Sequence, residues 1–311
     1  MKTKRSVTAG LLALVLSACA HSAPTPAASS ESSARAADES HAATGADSTA
    51  IRDGFVTSAD GMKIHFREGG RGNVTLFFLH GWLGNAHWWD EQLAKFGARY
   101  RVVAMDLAGH GESGRNRKAW TLQASAEDAR AVADKLGLER IVWIGHSMCG
   151  KLIVEIANRM PERTVSLVPI DSLQDFEQTT REEMDRFFGP LEKDFVPNAQ
   201  TNFKNIFVPS SPGPVVRRVL DGVATAPPES SIATLRAVFE YDVASAVRNV
   251  KAPIVAVNSD REPTSLEANR KLAPRFDVIL MKSVGHWPML ERPGEFDQLL
   301  QQAIDRGASR H

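Results

Sequence analysis

The sequence predicts an α/β fold in which a mostly parallel sheet is flanked by helices. Two observations predict it. From Ile51 to His311, short apolar runs alternate with segments whose apolar residues recur at helical spacing, and such alternation indicates parallel strands joined by helices. The segment from Asp175 to about Asn249 breaks this alternation with a helical pattern that proline interrupts repeatedly. We therefore expect one folded domain over residues 51–311, with an inserted helical cap over about residues 175–249.

The strands follow from apolar runs of strand length. Asp60-Gly61 separates the first two runs, which is typical of a β-hairpin. Two later runs end at His80-Gly81 and at Asp106, and folds of this class bind their ligands at the carboxyl ends of parallel strands. The expected strands are residues 55–57, 63–66, 74–79, 100–105, 141–144, 164–170, 253–257 and 278–281.

The helices follow from apolar residues at three- and four-residue spacing. The first is expected to end at Gly137, because glycine favours the left-handed conformation that often terminates a helix. The second is closed by Pro161, which cannot continue a helix. The expected helices outside the cap are residues 125–136, residues 152–160, residues 266–272 and a last helix through Phe296 and Leu299.

Charge and cysteine content narrow the classes of function. The formal net charge of the 311 residues is +0, so nothing argues for nucleic acid or for an electrostatic membrane patch. The two cysteines, Cys19 and Cys149, are not expected to form an intramolecular disulfide. The histidines are scattered without metal-ligand spacing, so we expect no metal and no other cofactor. The sequence leaves the oligomeric state open.

The N-terminal residues resemble a bacterial export signal. Basic residues within the first five precede an apolar run from Val7 to Leu16 that is too short to span a bilayer. The letters L-S-A-C that end at Cys19 resemble the lipoprotein box, whose cysteine is lipidated. This implies a signal peptide over residues 1–18, export, and a lipid anchor on Cys19 to a membrane of the cell envelope. The alternative is an ordinary cleaved signal. Residues 19–50 lack large apolar side chains and are expected to form a flexible tether.

The run from Ile141 to Gly150 carries the candidate nucleophile. Four apolar residues stop at Gly145, a serine follows two positions later, and a helical pattern then begins. Strand, tight turn and helix in this order hold the hydroxyl of Ser147 out of the sheet edge, where a base and a carbonyl carbon can both reach it. The start of the helix also favours negative charge.

This run resembles the nucleophile elbow G-x-S-x-G of the α/β-hydrolases, with Cys149 in place of the last glycine. Residues 80–82 resemble the family's H-G-x motif, and residues 106–113 resemble its D-x-x-G-x-G-x-S loop. The resemblance extends over residues 51–311 and implies the α/β-hydrolase fold with a cap. The side chain of Cys149 is then expected to point into the contact between helix and sheet, and not to act as the nucleophile.

The resemblance also implies the partners of Ser147. The family's order of nucleophile, acid and histidine along the chain makes His286, which follows the last expected strand, the base. The acid stays open between two carboxylates, with Asp260 as a weaker third. Glu262 matches the family pattern G-x-x-D-P, with Ser259 in the place of the glycine, and is slightly favoured. Asp171 ends the preceding strand, where some relatives keep their acid.

The oxyanion hole needs backbone donors beside the nucleophile. One is the amide of Met148, the residue after Ser147, and the resemblance implies the amide of Trp82 as the other. Aromatic residues are expected to make the pocket apolar. Ordinary core packing is the alternative for this set, and it is favoured for Trp88 and Trp89. The aromatic candidates are Trp82, Trp88, Trp89, Trp287, Phe187, Phe188 and Phe207.

Serine with histidine implies acyl transfer to water, because relatives that open epoxides or remove halide carry an aspartate where Ser147 stands. We expect a carboxylesterase whose partner is a small or aryl ester. A lactonase, an amidase or a thioesterase with the same triad is the alternative within this chemistry. A ligand sensor of the same fold, with very slow turnover, is the alternative from another functional class.

Overall fold

The computed structural model describes residues 50–309, which contain an eight-stranded sheet. The strands are β1 (Arg52–Thr57), β2 (Lys63–Gly70), β3 (Thr75–Leu79), β4 (Arg101–Met105), β5 (Ile141–His146), β6 (Thr164–Ile170), β7 (Ile254–Ser259) and β8 (Phe276–Met281). Their order across the sheet is β1-β2-β4-β3-β5-β6-β7-β8. The pairs β1/β2 and β2/β4 are antiparallel, and every other neighbouring pair is parallel.

The burial of the strands explains their apolar runs. Strands β3, β5, β6 and β7 are buried along their whole length, as expected for parallel strands that are covered on both faces. Strand β1 lies at the edge of the sheet and has exposed and half-buried residues only. Because β3, β5, β6 and β7 run in one direction, the residues that follow them come together at one end of the sheet.

Helices cover this sheet and fill one long insertion. They are α1 (Asp90–Phe96), α2 (Leu122–Leu136), α3 (Cys149–Arg159), α4 (Arg181–Lys193), α5 (Phe195–Lys204), α6 (Gly213–Thr225), α7 (Pro228–Glu240), α8 (Val243–Val247), α9 (Leu266–Leu272), α10 (Pro288–Glu291) and α11 (Pro293–Ala308). Helices α2 and α3 pack together, as do α10 and α11, while α3 contacts β5 and β6, and α11 contacts β6, β7 and β8. The predicted fold class, a mostly parallel sheet flanked by helices, is confirmed.

Helices α4 to α8 lie between β6 and β7 in the chain, in the segment that the sequence predicts to be a helical cap. We call residues 175–249 the inserted helices. Pro214 and Pro228 stand in the first turns of α6 and α7, where the missing N–H of proline costs no helical hydrogen bond. Pro190 lies inside α4, three residues before its end, so this proline does not separate two helices as the sequence pattern suggested.

Helix α2 shows how local chemistry sets element boundaries. It begins at Leu122, three residues earlier than the apolar spacing indicates, because the hydroxyl of Thr121 accepts a hydrogen bond from the N–H of Ala124. Its end matches the prediction. Gly137 has a φ of +61°, and its N–H donates to carbonyl groups of the last turn.

Several sequence predictions lie outside the described residues. They are the signal peptide, the lipid anchor on Cys19 and residues 19–49 of the tether. Between residues 50 and 309, no helix combines the length and the apolar character that crossing a membrane requires.

A buried ion pair ties the turn between β1 and β2 to helix α2. The guanidinium of Arg117, whose side chain is 1% exposed, donates to both carboxylate oxygens of Asp128 at 2.9 and 2.6 Å. It also donates to Asp60 in the turn at 2.8 Å. Because a buried charge is costly unless it is paired, removal of one partner should destabilise the fold strongly.

We expect Asp128→Ala to lower the free energy of unfolding by about 3 kcal/mol, because the one carboxylate that Arg117 then keeps among residues 50–309 is the largely exposed Asp60. Urea unfolding of the two proteins measures the difference. Asp134→Ala on the same helix removes a surface partner of Arg163 and should cost less than about 1 kcal/mol. Equal losses in the two variants would contradict a structural role for the buried pair.

Candidate active site

Ser147 occupies the turn between β5 and α3. Its φ is +55°, in the left-handed region that residues with a Cβ rarely adopt. The turn can close because Gly145 has no side chain: a Cβ there would lie 2.4 Å from the carbonyl oxygen of Cys149. The hydroxyl of Ser172 donates to the carbonyl of Ser147 at 2.6 Å and holds the strained residue from the end of β6. The predicted order of strand, turn and helix is therefore present around Ser147.

His286 lies in the loop between β8 and α10. Its Nε2 is 2.8 Å from Oγ of Ser147, and its Nδ1 is 2.6 Å from Oδ2 of Asp171. An ionised carboxylate only accepts hydrogen bonds, so Nδ1 carries the proton and Nε2 presents a lone pair to the serine hydroxyl. The three side chains form one continuous chain of hydrogen bonds from carboxylate to hydroxyl.

Asp171 follows β6 directly and is 2% exposed. Its other oxygen, Oδ1, accepts hydrogen bonds from the N–H and the hydroxyl of Ser259 at 2.8 and 2.7 Å. Burial disfavours the charged carboxylate, but the hydrogen bond and charge of His286 and the two donors of Ser259 outweigh it. The pKa of Asp171 is therefore lowered from its ordinary value, and the carboxylate is ionised at neutral pH.

The slight preference for Glu262 as the acid is corrected by this geometry. Glu262 accepts a hydrogen bond from its neighbour Arg261 at 2.7 Å, its side chain is 44% exposed, and it does not contact His286. The physical reason is the length of β7, which continues two residues beyond its predicted end to Ser259. The loop with Glu262 therefore starts farther along the chain, while Ser259 at the strand end faces Asp171.

The sequence contained one signal for this arrangement. Ser259 stands where the family pattern has a glycine, and its hydroxyl is the group that gives Asp171 an additional donor. The third candidate, Asp260, accepts a hydrogen bond from the N–H of Ser283 at 2.8 Å. It thus supports the loop that leads to His286.

The loop after β3 lies against the turn of Ser147. A Cβ on Gly81 would be 2.5 Å from Nδ1 of His146 and 3.1 Å from Cβ of Ser147, so only glycine allows this approach. The next backbone amide is that of Trp82, and the amide after the serine is that of Met148. Neither amide donates to another group within residues 50–309. The two donors predicted for an oxyanion thus lie in the two loops that meet at Ser147.

Two tryptophans connect these loops to the inserted helices. The indole N–H of Trp82 donates to the carbonyl of Ser231 at 2.9 Å, and its ring lies 5.6 Å from that of Phe203. Trp287, next to His286, stacks on Phe207 with a centroid distance of 4.3 Å. Each of the two loops is therefore joined to the inserted helices by a packed aromatic side chain.

The other aromatic residues that the sequence places near the site make contacts of several kinds. Trp88 packs edge-on against His146 and Trp287, the two residues that adjoin Ser147 and His286 in the chain. Trp89 packs on Phe78 of β3 and belongs to the buried core. Phe187 also contacts Trp82, whereas Phe188 packs against other residues of the inserted helices.

Two ionisable side chains beside Ser147, those of His146 and Cys149, stay uncharged. His146 donates from Nε2 to the carbonyl of His286 at 2.7 Å; burial, and then the charge of His286, lower its pKa to about 3, so it stays neutral. The thiol of Cys149 donates to the carbonyl of His80 at 3.0 Å, and burial raises its pKa. The thiol therefore stays protonated in the contact between helix α3 and the loop after β3.

A family model described as the alpha/beta hydrolase family matches residues 76–299, which is most of the chain. The chain belongs to the alpha/beta hydrolase family. In the described part of the chain, no group of three or more His, Cys, Asp or Glu side chains could hold a metal ion.

Curated members of the family match a part of the chain. A non-heme haloperoxidase of Rhodococcus erythropolis is 40% identical over 97 residues, which are 31% of this chain and 35% of that protein. A bifunctional esterase/perhydrolase of Acinetobacter calcoaceticus is 35% identical over 115 residues, which are 36% of this chain and 42% of that protein. The matched segments thus span less than half the length of these relatives.

Solved structures of the family match over most of the chain. An esterase from Thermogutta terrifontis has a TM-score of 0.73 at 20% identity and covers 83% of this chain and 99% of its own. A bacterial membrane phospholipase A has a TM-score of 0.69 at 27% identity and covers 83% of this chain and 86% of its own. The likeness to the esterase shows the shared fold.

Proposed function

We propose that this protein is a serine hydrolase that cleaves carboxylic esters through an acyl-enzyme on Ser147. The observation that carries the proposal is the continuous hydrogen-bonded chain from Asp171 through His286 to the hydroxyl of Ser147, with distances of 2.6 and 2.8 Å. The backbone amides of Met148 and Trp82 lie in the adjoining loops and have no acceptor among the described residues. Nucleophile, base, acid and oxyanion donors are the complete set for acyl transfer.

The proposed reaction proceeds in two halves. Oγ of Ser147 attacks the ester carbonyl carbon while Nε2 of His286 takes the hydroxyl proton. The two backbone amides stabilise the resulting oxyanion, and one such donor contributes about 3 kcal/mol to transition-state stabilisation. His286 then gives its proton to the leaving alkoxide as the ester C–O bond breaks. Water attacks the acyl-enzyme with His286 again as base, which releases the carboxylic acid and restores the serine.

Asp171 supports both halves without exchanging a proton. Its hydrogen bond keeps the proton of His286 on Nδ1 and leaves Nε2 free for the serine. Its negative charge also stabilises the imidazolium that forms during the reaction. The lowered pKa of Asp171 keeps this charge in place at neutral pH.

The serine argues against epoxide chemistry, although epoxide hydrolase 4 of Mus musculus is 34% identical over 114 residues. An aspartate that opens an epoxide forms an ester intermediate, which water can hydrolyse. A serine in the same step would form a stable ether and would be trapped. Ser147 therefore suits acyl transfer to water.

We propose small or aryl esters as substrates. Support comes from the buried aromatic rings of Trp82, in the loop after β3, and of Trp287, next to His286. The apolar cavity beside Met148, between Trp120 and Val238, measures about 10 Å³, which is room for roughly one water-sized group. The residues that line this cavity include Met148 but neither Ser147 nor His286, so the support for short acyl groups is the packing of the aromatic rings next to the site.

A series of p-nitrophenyl esters of increasing acyl length tests this function on the whole chain. We expect sustained turnover that is greatest for short acyl groups. Ser147→Ala should lower kcat by on the order of 10⁶-fold, because the nucleophile is lost. Cys149→Ser is the matched control and should retain activity, because the thiol lies outside the proposed chemistry. Unchanged turnover in Ser147→Ala would contradict the proposal.

Two matched substitutions of a carboxylate by its amide test which carboxylate is the acid. Asp171→Asn should lower kcat by roughly 10⁴-fold, because an amide at this place favours the wrong tautomer of the histidine. Glu262→Gln should change kcat by less than about twofold, because its side chain is exposed at the surface. Steady-state kinetics on one short ester measure both. A larger loss in Glu262→Gln than in Asp171→Asn would reverse the assignment.

The alternative functions that the sequence leaves open are tested with the same protein. Lactones, amides and thioesters present the same kind of carbonyl carbon to Ser147 and belong in the substrate series. A ligand sensor would release one equivalent of p-nitrophenol and then stop. Sustained release from wild-type protein would exclude it.

We propose further that the protein is exported and attached to a bacterial cell-envelope membrane by a lipid on Cys19. The support is the L-S-A-C run after a basic start and a short apolar stretch. Cys19→Ser should move the protein from the membrane fraction to the soluble fraction, as measured by fractionation and immunoblotting. Cys149→Ser should not. Membrane association that survives Cys19→Ser would refute the anchor.

A further inference from the structure

Glu291 is a buried carboxylate that the proposed reaction does not use. It ends the short helix α10, five residues after His286, and is 6% exposed. No Lys, Arg or His side chain within residues 50–309 pairs with it. A buried carboxylate without a cation depends on hydrogen-bond donors, so its surroundings indicate what it holds.

The donors of Glu291 come from both sides of His286. Its Oε2 accepts a hydrogen bond from the N–H of Gly285 at 3.0 Å, and its Oε1 accepts one from the N–H of Trp287 at 3.2 Å. The contact is close: a Cβ on Gly285 would lie 2.5 Å from Oε1. One carboxylate thus fixes the backbone before and after the proposed base.

The third donor comes from the inserted helices. The hydroxyl of Ser211, between α5 and α6, donates to Oε2 of Glu291 at 2.6 Å. The same stretch accepts a hydrogen bond from the N–H of His286 through the carbonyl of Ile206, at 3.1 Å. The carbonyl of His286 accepts the bond from His146. The N–H groups of Gly285, His286 and Trp287 and the carbonyl of His286 therefore each have a hydrogen-bond partner.

We propose that Glu291 is a positioning residue, which holds the backbone on both sides of His286 and so sets the distance from its Nε2 to Ser147. Ser211 completes this support from the inserted helices. The inference rests on the proposed serine hydrolase function, and it adds a dependence of catalysis on the contact between Ser211 and Glu291. Since ring position decides whether Nε2 reaches the hydroxyl, loss of the support should lower kcat more than it changes KM.

Glu291→Gln tests the carboxylate with little change in shape. Both carboxylate oxygens accept from donors, so the amide NH₂ must face an N–H of Gly285 or Trp287 whichever way it turns. We expect kcat on a short p-nitrophenyl ester to fall by about 100-fold with KM within about threefold. Ser211→Ala removes one donor and should lower kcat by roughly three- to tenfold. Glu295→Gln is the matched control, because Glu295 pairs with Arg292 at the surface, and it should behave like wild type.

A spectroscopic signal separates positioning from general destabilisation. The Nδ1 proton of His286, in a short hydrogen bond to Asp171, should give a downfield proton NMR resonance that His286→Ala lacks. Glu291→Gln should shift or abolish this resonance while the protein stays folded by circular dichroism, and Glu295→Gln should not. Folded Glu291→Gln with wild-type kcat and an unchanged resonance would overturn the inference.

The remaining outcomes are also decisive. Where Glu291→Gln does not fold, Ser211→Ala decides: a lowered kcat at unchanged KM supports the positioning role, and wild-type kcat overturns it. Where wild-type protein shows no Ser147-dependent hydrolysis at all, the proposed function fails. The resonance of His286 in the Glu291→Gln and Glu295→Gln variants then still decides whether Glu291 positions the ring.

Discussion

The hydrogen bond between Asp171 and His286 is the interaction on which the site depends. It joins the end of β6 to the loop after β8, across the intervening strand β7, at a distance of 2.6 Å. A buried carboxylate is stable as an anion only when donors surround it, and here Ser259 at the end of β7 supplies two of them. The order of three neighbouring strands thus fixes the carboxylate, its donors and the histidine relative to one another.

The same part of the sheet also holds the strained backbone of Ser147 in place. Ser147 and Asp171 both have a positive φ, of +55° and +43°, and the two residues follow the neighbouring strands β5 and β6. Ser172 links them, since its hydroxyl donates to the carbonyl of Ser147. Such strained residues persist where surrounding contacts determine the backbone. The adjacent buried strands supply these contacts, which explains how the chain can hold Ser147 at a sharp turn.

Most of the sheet and the turn of Ser147 could be predicted from the sequence, because burial on both faces leaves continuous apolar runs. The strand over residues 164–170 and the helix over residues 266–272 have their predicted bounds. The acid could not be settled in this way. Glu262 and Asp171 each follow a buried strand, and the choice depends on β7 continuing to Ser259, a boundary that apolar periodicity does not define.

The contacts of the inserted helices also could not be predicted from local sequence patterns. Their helical character follows from spacing, whereas their contacts with the site join residues far apart in sequence. Trp82 reaches Ser231, and Ser211 reaches Glu291, through single hydrogen bonds. These contacts make the inserted helices part of the structural support of the site. If the inserted helices only excluded water, they would not need hydrogen bonds to the segment that carries His286.

The most direct test of the account is whether Ser147 and Asp171 act as one unit. A double-mutant cycle on kcat/KM for a short ester, with Ser147→Ala, Asp171→Asn and the double variant, measures this coupling. If the carboxylate acts only through His286 on the serine, the double variant will be no less active than Ser147→Ala alone. Losses that multiply in the double variant would show that Asp171 acts independently of Ser147, and this would contradict the account.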